Sequence, residues 1–351
     1  MYFRKKINSL INIVFQSNAK NNIKNAYQRH NLKKGPRIVV IGGGTGLSIL
    51  LRGIKEYTSN ITAIVAVTDD GGSSGRLRGQ FGILPPGDLR NCLVALADTE
   101  PIMERLFDYR FTQGKELVGH NLGNLLITAM VDLTGSFETA INELGKVLAI
   151  RGRVLPPTFA DLVLAAELVD GSMIKGESYI AKSKKPIKKV FLIPGICEPS
   201  SDAIKAIKEA DAIILGPGSL YTSIIPNLLV PGIVEAIQEA KATKMYVCNV
   251  MTQPGETKNY KASEHLKAVY SHSLPGLVDY MIVNNQKAAS FVKGEDDIEE
   301  IKYVEIDQDK IAKMSVKLLQ APLIQENNYN LHSSKKLASM ILQLILKKKG
   351  G

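Results

Sequence analysis

The feature that most limits the fold of this chain is a glycine-rich loop between a buried strand and a helix. An apolar run at residues 37–41 breaks into the segment GGGTG at 42–46, and residues 47–57 then have the apolar spacing of a helix. A second apolar run covers residues 61–67. Strand, glycine loop, helix and strand form one βαβ unit of a parallel sheet, and fully apolar strands indicate helices on both faces. The sequence therefore predicts an α/β fold with a Rossmann-like, doubly wound and mostly parallel sheet.

The charge of the chain is concentrated at its two ends. Of the net charge of +10, residues 1–37 contribute +9 and residues 331–351 contribute +5, with no acidic residue in either segment. Residues 38–330 carry a net charge of −4, so the folded body is mildly acidic. A nucleic-acid-binding core would carry its own basic stripe, and the absence of Trp argues against a base-stacking surface. We therefore expect no nucleic-acid partner.

These charge boundaries and the apolar patterns predict three parts of the chain. We expect a basic N-terminal extension at residues 1–35, a Rossmann-like nucleotide-binding domain at 36–330 and a basic helix at 331–351. Within the domain, β-like runs on either side of Asp170-Gly171 indicate a hairpin. They predict a small β insertion at about 153–190.

The cellular location follows from what the sequence lacks. No apolar run reaches the ~18–20 residues needed to span a bilayer, and the three cysteines show no CxxC spacing. We therefore expect a cytoplasmic protein with buried thiols rather than disulfides or metal ligands. Residues 3–14 place apolar side chains at helical spacing beside Arg4, Lys5 and Lys6. This pattern fits either weak peripheral contact with anionic lipid at the inner face of the membrane or a solvated basic tail.

Polar loops follow the predicted strands rather than precede them. Clusters of Gly, Pro, Ser, Thr, Asn and Asp lie at residues 42–46, 68–75, 216–223, 249–257 and 284–285. In an open parallel sheet, the loops at the carboxyl ends of the strands form the ligand crevice. Any one of these clusters can be an ordinary turn, but five of them at one edge predict a binding site.

The segment 42–46 is a candidate phosphate loop. Its glycines let backbone N–H groups approach a phosphate, and the N-terminus of the following helix adds positive potential. It is not a complete G-x-G-x-x-G pattern, since the sixth position is Leu47, and it lacks the Gly-Lys-Ser/Thr ending of a P-loop. We predict phosphate or nucleotide contact, with a tight turn as the alternative.

The loop after the second predicted strand has the sequence DDGGSSGRLR from residue 69 to residue 78. An acid at this point can grip a ribose hydroxyl, and two adjacent Asp can instead hold a Mg²⁺ that bridges phosphates. The serines supply hydroxyl donors, and Arg76 or Arg78 can meet an anion. A flexible solvent loop is the alternative.

Two predicted helix starts carry polar side chains one turn apart. Asp88, placed to act as an N-cap, shares a face with Asn91, and Asn121 shares a face with Asn124. Because Asn is unfavourable inside helices, capping accounts for one Asn of the second pair and a ligand contact for the other. His120 is either a general base, or a capping histidine or a core histidine with satisfied hydrogen bonds.

The candidate nucleotide-binding residues share a position in these loops or at the helix starts that follow them. They are Gly42, Gly43, Gly44, Thr45, Gly46, Asp69, Asp70, Ser73, Ser74, Arg76, Asp88, Asn91, Asn121, Asn124, Gly218, Ser219 and Thr252. The sequence shows no Ser/His/Asp nucleophile arrangement and no His/Cys cluster with zinc spacing. The site is therefore suited to binding and orientation, and we assign no catalytic residue and no metal ligand.

These motifs together resemble the gluconeogenesis factor family, part of the superfamily of the 2-phospho-lactate transferase (CofD-like). The matching segments are VIGGGTG at 40–46, TDDGGSSG at 68–75, PPGDLRN at 85–91, NLGN at 121–124, GPGSLYTS at 216–223 and MTQPGET at 251–257. Their order and spacing cover about residues 36–325. The basic extension at 1–35 departs from the family pattern, and no family function carries over to it.

The resemblance implies a Rossmann-like core that binds UDP-sugars, notably UDP-N-acetylglucosamine, and a regulatory role in cell shape and wall synthesis during gluconeogenic growth. One alternative is a Mg²⁺-dependent phosphotransferase, with Asp69 and Asp70 where a metal would be expected. Another is an NAD-dependent oxidoreductase, which the imperfect glycine pattern weakens. We expect no obligatory cofactor, although Mg²⁺ can accompany the nucleotide, and we leave open whether the chain is an enzyme. We also expect a homodimer and an unidentified partner protein of cell-wall synthesis.

Overall fold

The computed structural model describes residues 31–98, 101–287, 301–326 and 328–349 of the chain. The predicted amphipathic stripe at residues 3–14 and most of the basic extension at 1–35 lie outside these ranges. Lipid contact and a solvated tail therefore stay predictions.

The β-strands of the described residues form three sheets. In chain order the strands are β1 (Ile38–Gly42), β2 (Ile61–Val65), β3 (Arg153–Leu155), β4 (Val163–Leu168), β5 (Met173–Lys175), β6 (Ile187–Ile193), β7 (Ala212–Leu215), β8 (Thr243–Val247), β9 (Tyr280–Asn284), β10 (Lys317–Ala321), β11 (Ile324–Gln325) and β12 (Asn328–His332). The seven-stranded main sheet has the spatial order β10-β9-β8-β7-β1-β2-β3, and all its neighbouring strands pair in parallel.

The order of strands in the main sheet confirms the doubly wound prediction. From β1 the chain moves outward through β2 to β3, then returns to β7 on the other side of β1 and moves outward to β10. The direction of winding therefore reverses between β1 and β7, where Val40 lies between Ala63 and Ile214. In sheets of this kind, the crevice outside the carboxyl ends of the strands at this switch point is the usual ligand site.

Helices cover both faces of the main sheet. In chain order they are α1 (Gly44–Ile54), α2 (Gly72–Phe81), α3 (Gly87–Leu96), α4 (Pro101–Asp108), α5 (Leu122–Thr134), α6 (Phe137–Val147), α7 (Glu177–Ile180), α8 (Ser201–Lys208), α9 (Ile225–Leu228), α10 (Ile233–Glu239), α11 (Ala262–Ser271), α12 (Gln308–Ile311) and α13 (Ser334–Lys349). A π-helix, Leu220–Ile224, precedes α9, and a 3₁₀-helix, Ala312–Met314, follows α12. In the part of the chain that the structure describes, no single helix is long and apolar enough to cross a membrane; only Leu220–Leu228 and Ile233–Glu239 together, across a 74° bend, reach that length and composition.

Alternate side chains of β1 anchor the two hydrophobic layers of the fold, because successive residues of a strand point to opposite faces. Val39 and Ile41 belong to one buried cluster with side chains of α8, α10 and α11. Ile38 and Val40 belong to the other, with side chains of α1, α3 and α13. This two-sided burial explains why β1 is apolar at every position before its final glycine.

A three-stranded antiparallel sheet in the order β5-β4-β6 forms the insertion. The predicted hairpin around Asp170-Gly171 joins β4 and β5. The predicted boundary near residue 153 differs from the structure, because β3 pairs in parallel with β2 and so belongs to the main sheet. The β-like run expected to reach residue 180 also ends early: β5 stops at Lys175, Gly176 has a φ of 98°, and α7 follows.

The C-terminal segment also differs from the helix predicted at residues 331–351. The antiparallel hairpin of β11 and β12 continues to His332, so α13 begins only at Ser334. This helix packs against α1, since a side chain at Gly53 would collide with the Ser334 carbonyl and with Ala338. The helix thereby connects the hairpin to α1, whose first residue lies in the glycine loop.

Candidate functional site

The loops after β1, β7 and β8 meet at the switch point and enclose a cavity of about 250 Å³. It is lined by residues 43–46 with Ile49, residues 217–219, residues 249–251 with Gln253, and residues 330–332 of β12. Six predicted residues therefore meet here, namely Gly43, Gly44, Thr45, Gly46, Gly218 and Ser219. Since the site lies at the carboxyl edge of the reversing strands, it is the candidate ligand site.

A larger cavity of about 800 Å³ lies at the opposite edge of the sheet, beside the amino ends of β1, β2 and β3. Two arginines in its lining are already engaged by acids. Arg151 pairs with Asp98 at 3.0 Å, and Arg153 pairs with Asp202 at 3.2 Å. Because these two arginines are paired and the glycine loop at 42–46 does not line this cavity, we place the candidate site at the smaller cavity.

The glycine loop needs glycine at two positions for different reasons. Gly44 has a φ of +67°, in the left-handed region that favours glycine. A Cβ at Gly46 would stand 2.9 Å from the Pro217 carbonyl oxygen and 3.1 Å from the Gly218 nitrogen. The loops after β1 and β7 are therefore in close contact, and only glycine fits at position 46.

The sequence predicted that Asp88 caps its own helix. In the structure it is instead hydrogen-bonded to the glycine loop. The Gly44 N–H donates to Asp88 Oδ2 at 2.8 Å, whereas Pro86 is the N-cap residue of α3 and makes no side-chain cap bond. Burial and the nearby Asp69 carboxylate raise the pKa of Asp88 to about 6, although the Gly44 N–H acts in the opposite direction. A carboxylate thus occupies one of the backbone donors that would bind a phosphate.

Two more carboxylates lie close to Asp88. Asp69 Oδ1 accepts the Gly71 N–H at 2.9 Å, and Glu177 accepts the Thr68 hydroxyl at 2.7 Å. Burial, followed by repulsion from Asp69 and Asp88, raises the pKa of Glu177 well above its usual range. Glu177 belongs to the β insertion, and no motif marked it in the sequence.

These carboxylates bear on the question of a metal. Within residues 31–98, 101–287, 301–326 and 328–349, no three His, Cys, Asp or Glu side chains are grouped to hold a metal ion. Mg²⁺ is commonly bound by one or two carboxylates together with phosphate oxygens and water. Asp69 and Asp88, which interact electrostatically, fit a Mg²⁺ that arrives with a phosphate ligand. This pair differs from the adjacent Asp69 and Asp70 considered from the sequence.

The N-termini of α2 and α5 join in a buried polar cluster. Asn121 is the capping residue of the predicted pair, since its Oδ1 accepts the Asn124 N–H at 3.0 Å. Ser73 Oγ accepts the Asn121 N–H at 3.2 Å and lies 3.3 Å from His120 Nδ1. Asn124 Nδ2 lies 3.5 Å from Ser74 Oγ, while Asn124 Oδ1 has no partner. The unbonded oxygen has free capacity for a ligand donor.

Four predicted residues make scaffold contacts outside the cavity lining. Asp70 Oδ1 accepts a backbone N–H at the start of α7 at 2.8 Å, and Arg76 donates to a backbone carbonyl of the loop before α5 at 3.0 Å. The Thr252 hydroxyl accepts the N–H of residue 302 at 3.1 Å. Asn91 Oδ1 accepts from the neighbouring Arg90 guanidinium. These bonds position the loops around the site.

The loop after β8 holds the loop after β7 against the glycine loop. Asn249 Oδ1 accepts the Gly218 N–H at 3.3 Å, and Gln253 Nε2 donates to Ser219 Oγ at 2.8 Å. Both side chains line the cavity, although they were not among the predicted site residues. Their polar cluster at 249–257 was the signal that could have identified them.

Glu256 also links these two loops. Its buried carboxylate accepts the Tyr221 N–H at 2.8 Å and the Thr222 hydroxyl at 2.7 Å. We expect Glu256→Ala to lower the free energy of unfolding by about 2 kcal/mol, because it leaves two buried donors without an acceptor. Urea denaturation measures the loss.

The control for this variant is Glu239→Ala. Glu239 is exposed and pairs with Lys208 at 3.1 Å, so its removal should change the free energy of unfolding by less than about 1 kcal/mol. Equal losses in the two variants would contradict the assigned role of Glu256.

The chain is similar to known proteins in both sequence and fold. The family model described as 2-phospho-L-lactate transferase CofD matches residues 38–324. A gluconeogenesis factor from Bacillus subtilis (strain 168) is 48% identical over 311 residues, covering 88% of this chain and 98% of that protein. One from Listeria innocua is 41% identical over 311 residues, covering 88% and 96%. A crystal structure of a protein from Bacillus halodurans superposes with a TM-score of 0.84 at 48% identity, covering 88% of this chain and 99% of that chain. The chain therefore belongs to the gluconeogenesis factor family, within the CofD superfamily.

Proposed function

We propose that this chain binds a UDP-sugar, in particular UDP-N-acetylglucosamine, and acts as a regulatory protein of cell shape and wall synthesis during gluconeogenic growth. The observation that supports this most is the cavity enclosed by two touching glycine loops at the carboxyl edge of β1 and β7. The relatives named gluconeogenesis factor support the link to gluconeogenic growth.

The diphosphate belongs on the glycine loop at the start of α1. This helix has no acidic residue in its first turn, and its N-cap residue, Gly43, makes no side-chain cap bond. The backbone N–H groups and the helix dipole therefore favour an anion. The cavity of about 250 Å³ is smaller than the ~300–1,000 Å³ typical of a whole-ligand pocket. It holds the part of the ligand that adjoins the diphosphate, and the remainder occupies the open cleft.

The carboxylates next to the loop need a role in this proposal, because they repel a phosphate. Asp69 lies in the loop that follows β2, where an acid in a doubly wound fold can accept a sugar hydroxyl. When a phosphate binds, the Gly44 N–H must release Asp88 and donate to the phosphate instead. On this basis the ligand binds without an obligatory metal.

The second candidate function is transfer of a phosphorus-containing group with Mg²⁺. Two observations favour it: Asp69 and Asp88 are electrostatically coupled, and the matching family model is described as a transferase. In that case the two carboxylates would hold the ion and the ion would offset the charge of the diphosphate.

Calorimetric titration tests both functions. The protein is titrated with UDP-N-acetylglucosamine, UDP-glucose, GDP and NAD, each with Mg²⁺ and each with EDTA. We expect the tightest binding for a UDP-sugar, with affinities in EDTA and Mg²⁺ that agree within about threefold, because no metal bridge is lost.

The outcomes separate the two candidates. If EDTA abolishes binding, or if incubation of the UDP-sugar with Mg²⁺ releases UDP or UMP, the transferase is the better description. If no UDP-sugar binds under either condition, the proposed function is wrong. The homodimer and the partner protein of wall synthesis stay predictions.

A further inference from the structure

The C-terminal hairpin brings a buried histidine into the candidate site. His332 is the last residue of β12, pairs with Ile324 of β11 and is only 4% exposed. It lines the same cavity as Gly44 of the first loop and Ser219 of the second. No sequence motif pointed to it, because it is more than 280 residues from the glycine loop along the chain.

The imidazole has an unused hydrogen-bonding atom. His332 Nε2 is covered and has no hydrogen-bond partner. Buried polar atoms are nearly always bonded in folded proteins, so an exception in a residue that lines a cavity calls for a partner. Among the buried unpartnered side-chain atoms of the described residues, this nitrogen is the one that belongs to a residue lining the candidate site.

The fold holds His332 in place relative to the glycine loop. The Ser333 N–H donates to the Leu323 carbonyl at 2.6 Å, which fixes the base of the hairpin. Helix α13 starts at Ser334 and packs on α1 at Gly53. Because α1 begins at Gly44, one pair of packed helices sets the distance between the histidine and the phosphate loop.

The protonation state of the imidazole limits which ligand groups it can hydrogen-bond. Burial lowers the pKa of His332 to about 4, so the ring is neutral at pH 7. A neutral imidazole nitrogen donates or accepts one hydrogen bond, depending on the tautomer. A sugar hydroxyl or an edge atom of a base satisfies it.

We propose that His332 is a ligand-binding residue whose Nε2 bonds an uncharged group, a hydroxyl or a base edge atom, of a nucleotide sugar with its diphosphate on the glycine loop. This inference rests on the proposed function and adds a specificity contact from the C-terminal hairpin. The histidine contacts the ligand and leaves the phosphates to the backbone of the two glycine loops.

The test compares His332→Ala and His332→Gln with the wild type, by calorimetry with UDP-N-acetylglucosamine and with UDP. His332→Ala should lose about tenfold in affinity, because a hydrogen bond of ordinary strength disappears. His332→Gln should stay within about threefold of the wild type, because an amide at a similar reach restores the bond. A loss with both ligands places the contact on the nucleoside, and a loss with the UDP-sugar alone places it on the sugar.

His265→Ala is the matched control. His265 is also fully buried with an unpartnered Nε2, but it lies on α11 and does not line the cavity. We expect it to lower the melting temperature without changing affinity. Wild-type affinity in a folded His332→Ala, or equal losses of affinity in the two alanine variants, overturns the inference while the proposed function stands. If the wild type binds neither UDP-N-acetylglucosamine nor UDP, both the inference and the proposed function are wrong.

Discussion

Replacing Gly44 with valine is expected to weaken UDP-sugar binding by roughly 100-fold or more while the protein stays folded, because backbone donors of a phosphate loop need close approach. Gly44 has a φ of +67°, which a β-branched side chain adopts only with strain. Space is not the obstacle within the protein, since a Cβ there meets only Ser223 Oγ, at 3.8 Å. The side chain would instead occupy the place of the phosphate and turn the Gly44 N–H away.

A second valine variant separates strain from binding. Gly135 has a φ of +69° and no atom within 4 Å of an added Cβ, but it lies at the far end of α5. Gly135→Val should therefore cost about the same stability as Gly44→Val, ~1–2 kcal/mol, and leave affinity unchanged. Calorimetry and urea denaturation on both variants provide the comparison. Equal affinities in the two variants would show that the glycine loop does not hold the ligand.

Replacing Asp88 with asparagine is expected to stabilise the protein at neutral pH. It is also expected to change the affinity for the ligand, and whether the affinity rises or falls shows whether Mg²⁺ takes part in binding. The pKa of Asp88 is raised from 3.8 to about 6 in the folded protein, mainly by burial. Because the folded protein favours the protonated carboxyl, this group contributes fully to the free energy of unfolding below about pH 4. That contribution is lost as the pH rises through about 6. Asparagine has no such loss, and its side-chain oxygen can still accept the Gly44 N–H.

The stability of Asp88→Asn relative to the wild type should therefore rise between pH 4 and pH 6 and level off above. The gain at pH 7 is up to about 3 kcal/mol, as expected for a shift of this size. Urea denaturation across this range measures it. Thr134→Ser is the control, because it changes no titratable group. Its free energy of unfolding should depend on pH in the same way as that of the wild type. If the free energies of unfolding of Asp88→Asn and the wild type differed by the same amount at every pH, Asp88 would not be the group whose titration destabilises the wild type.

The same variant distinguishes the two candidate functions. In EDTA, Asp88→Asn should bind the UDP-sugar about tenfold more tightly, because a negative charge beside the phosphate is gone. If a Mg²⁺ held by Asp69 and Asp88 bridges the phosphates, the variant should bind more weakly in Mg²⁺. The sign of the change is therefore as informative as its size.

Local sequence patterns predicted the main fold because β1, α1 and β2 are contiguous and each has a clear periodicity. The glycine loop was recognised for the same reason, as was Asn121 as one of a capping pair. The boundary of the insertion was harder to place, since β3 is three residues long and its membership of the main sheet depends on pairing with β2. A short apolar segment does not specify its partner.

By itself, the sequence determined the α/β class, and it placed the candidate site at the carboxyl edge of the sheet with the glycine loop at its base. These features depend on residues that are neighbours in the chain, so local propensity and periodicity are enough. Only the tertiary structure decided that Asp88 bonds the Gly44 N–H, that Glu177 joins Asp69, and that His332 lines the cavity. Each of these joins segments far apart in the chain, and their meeting depends on the packing of whole helices and strands, which no local pattern records.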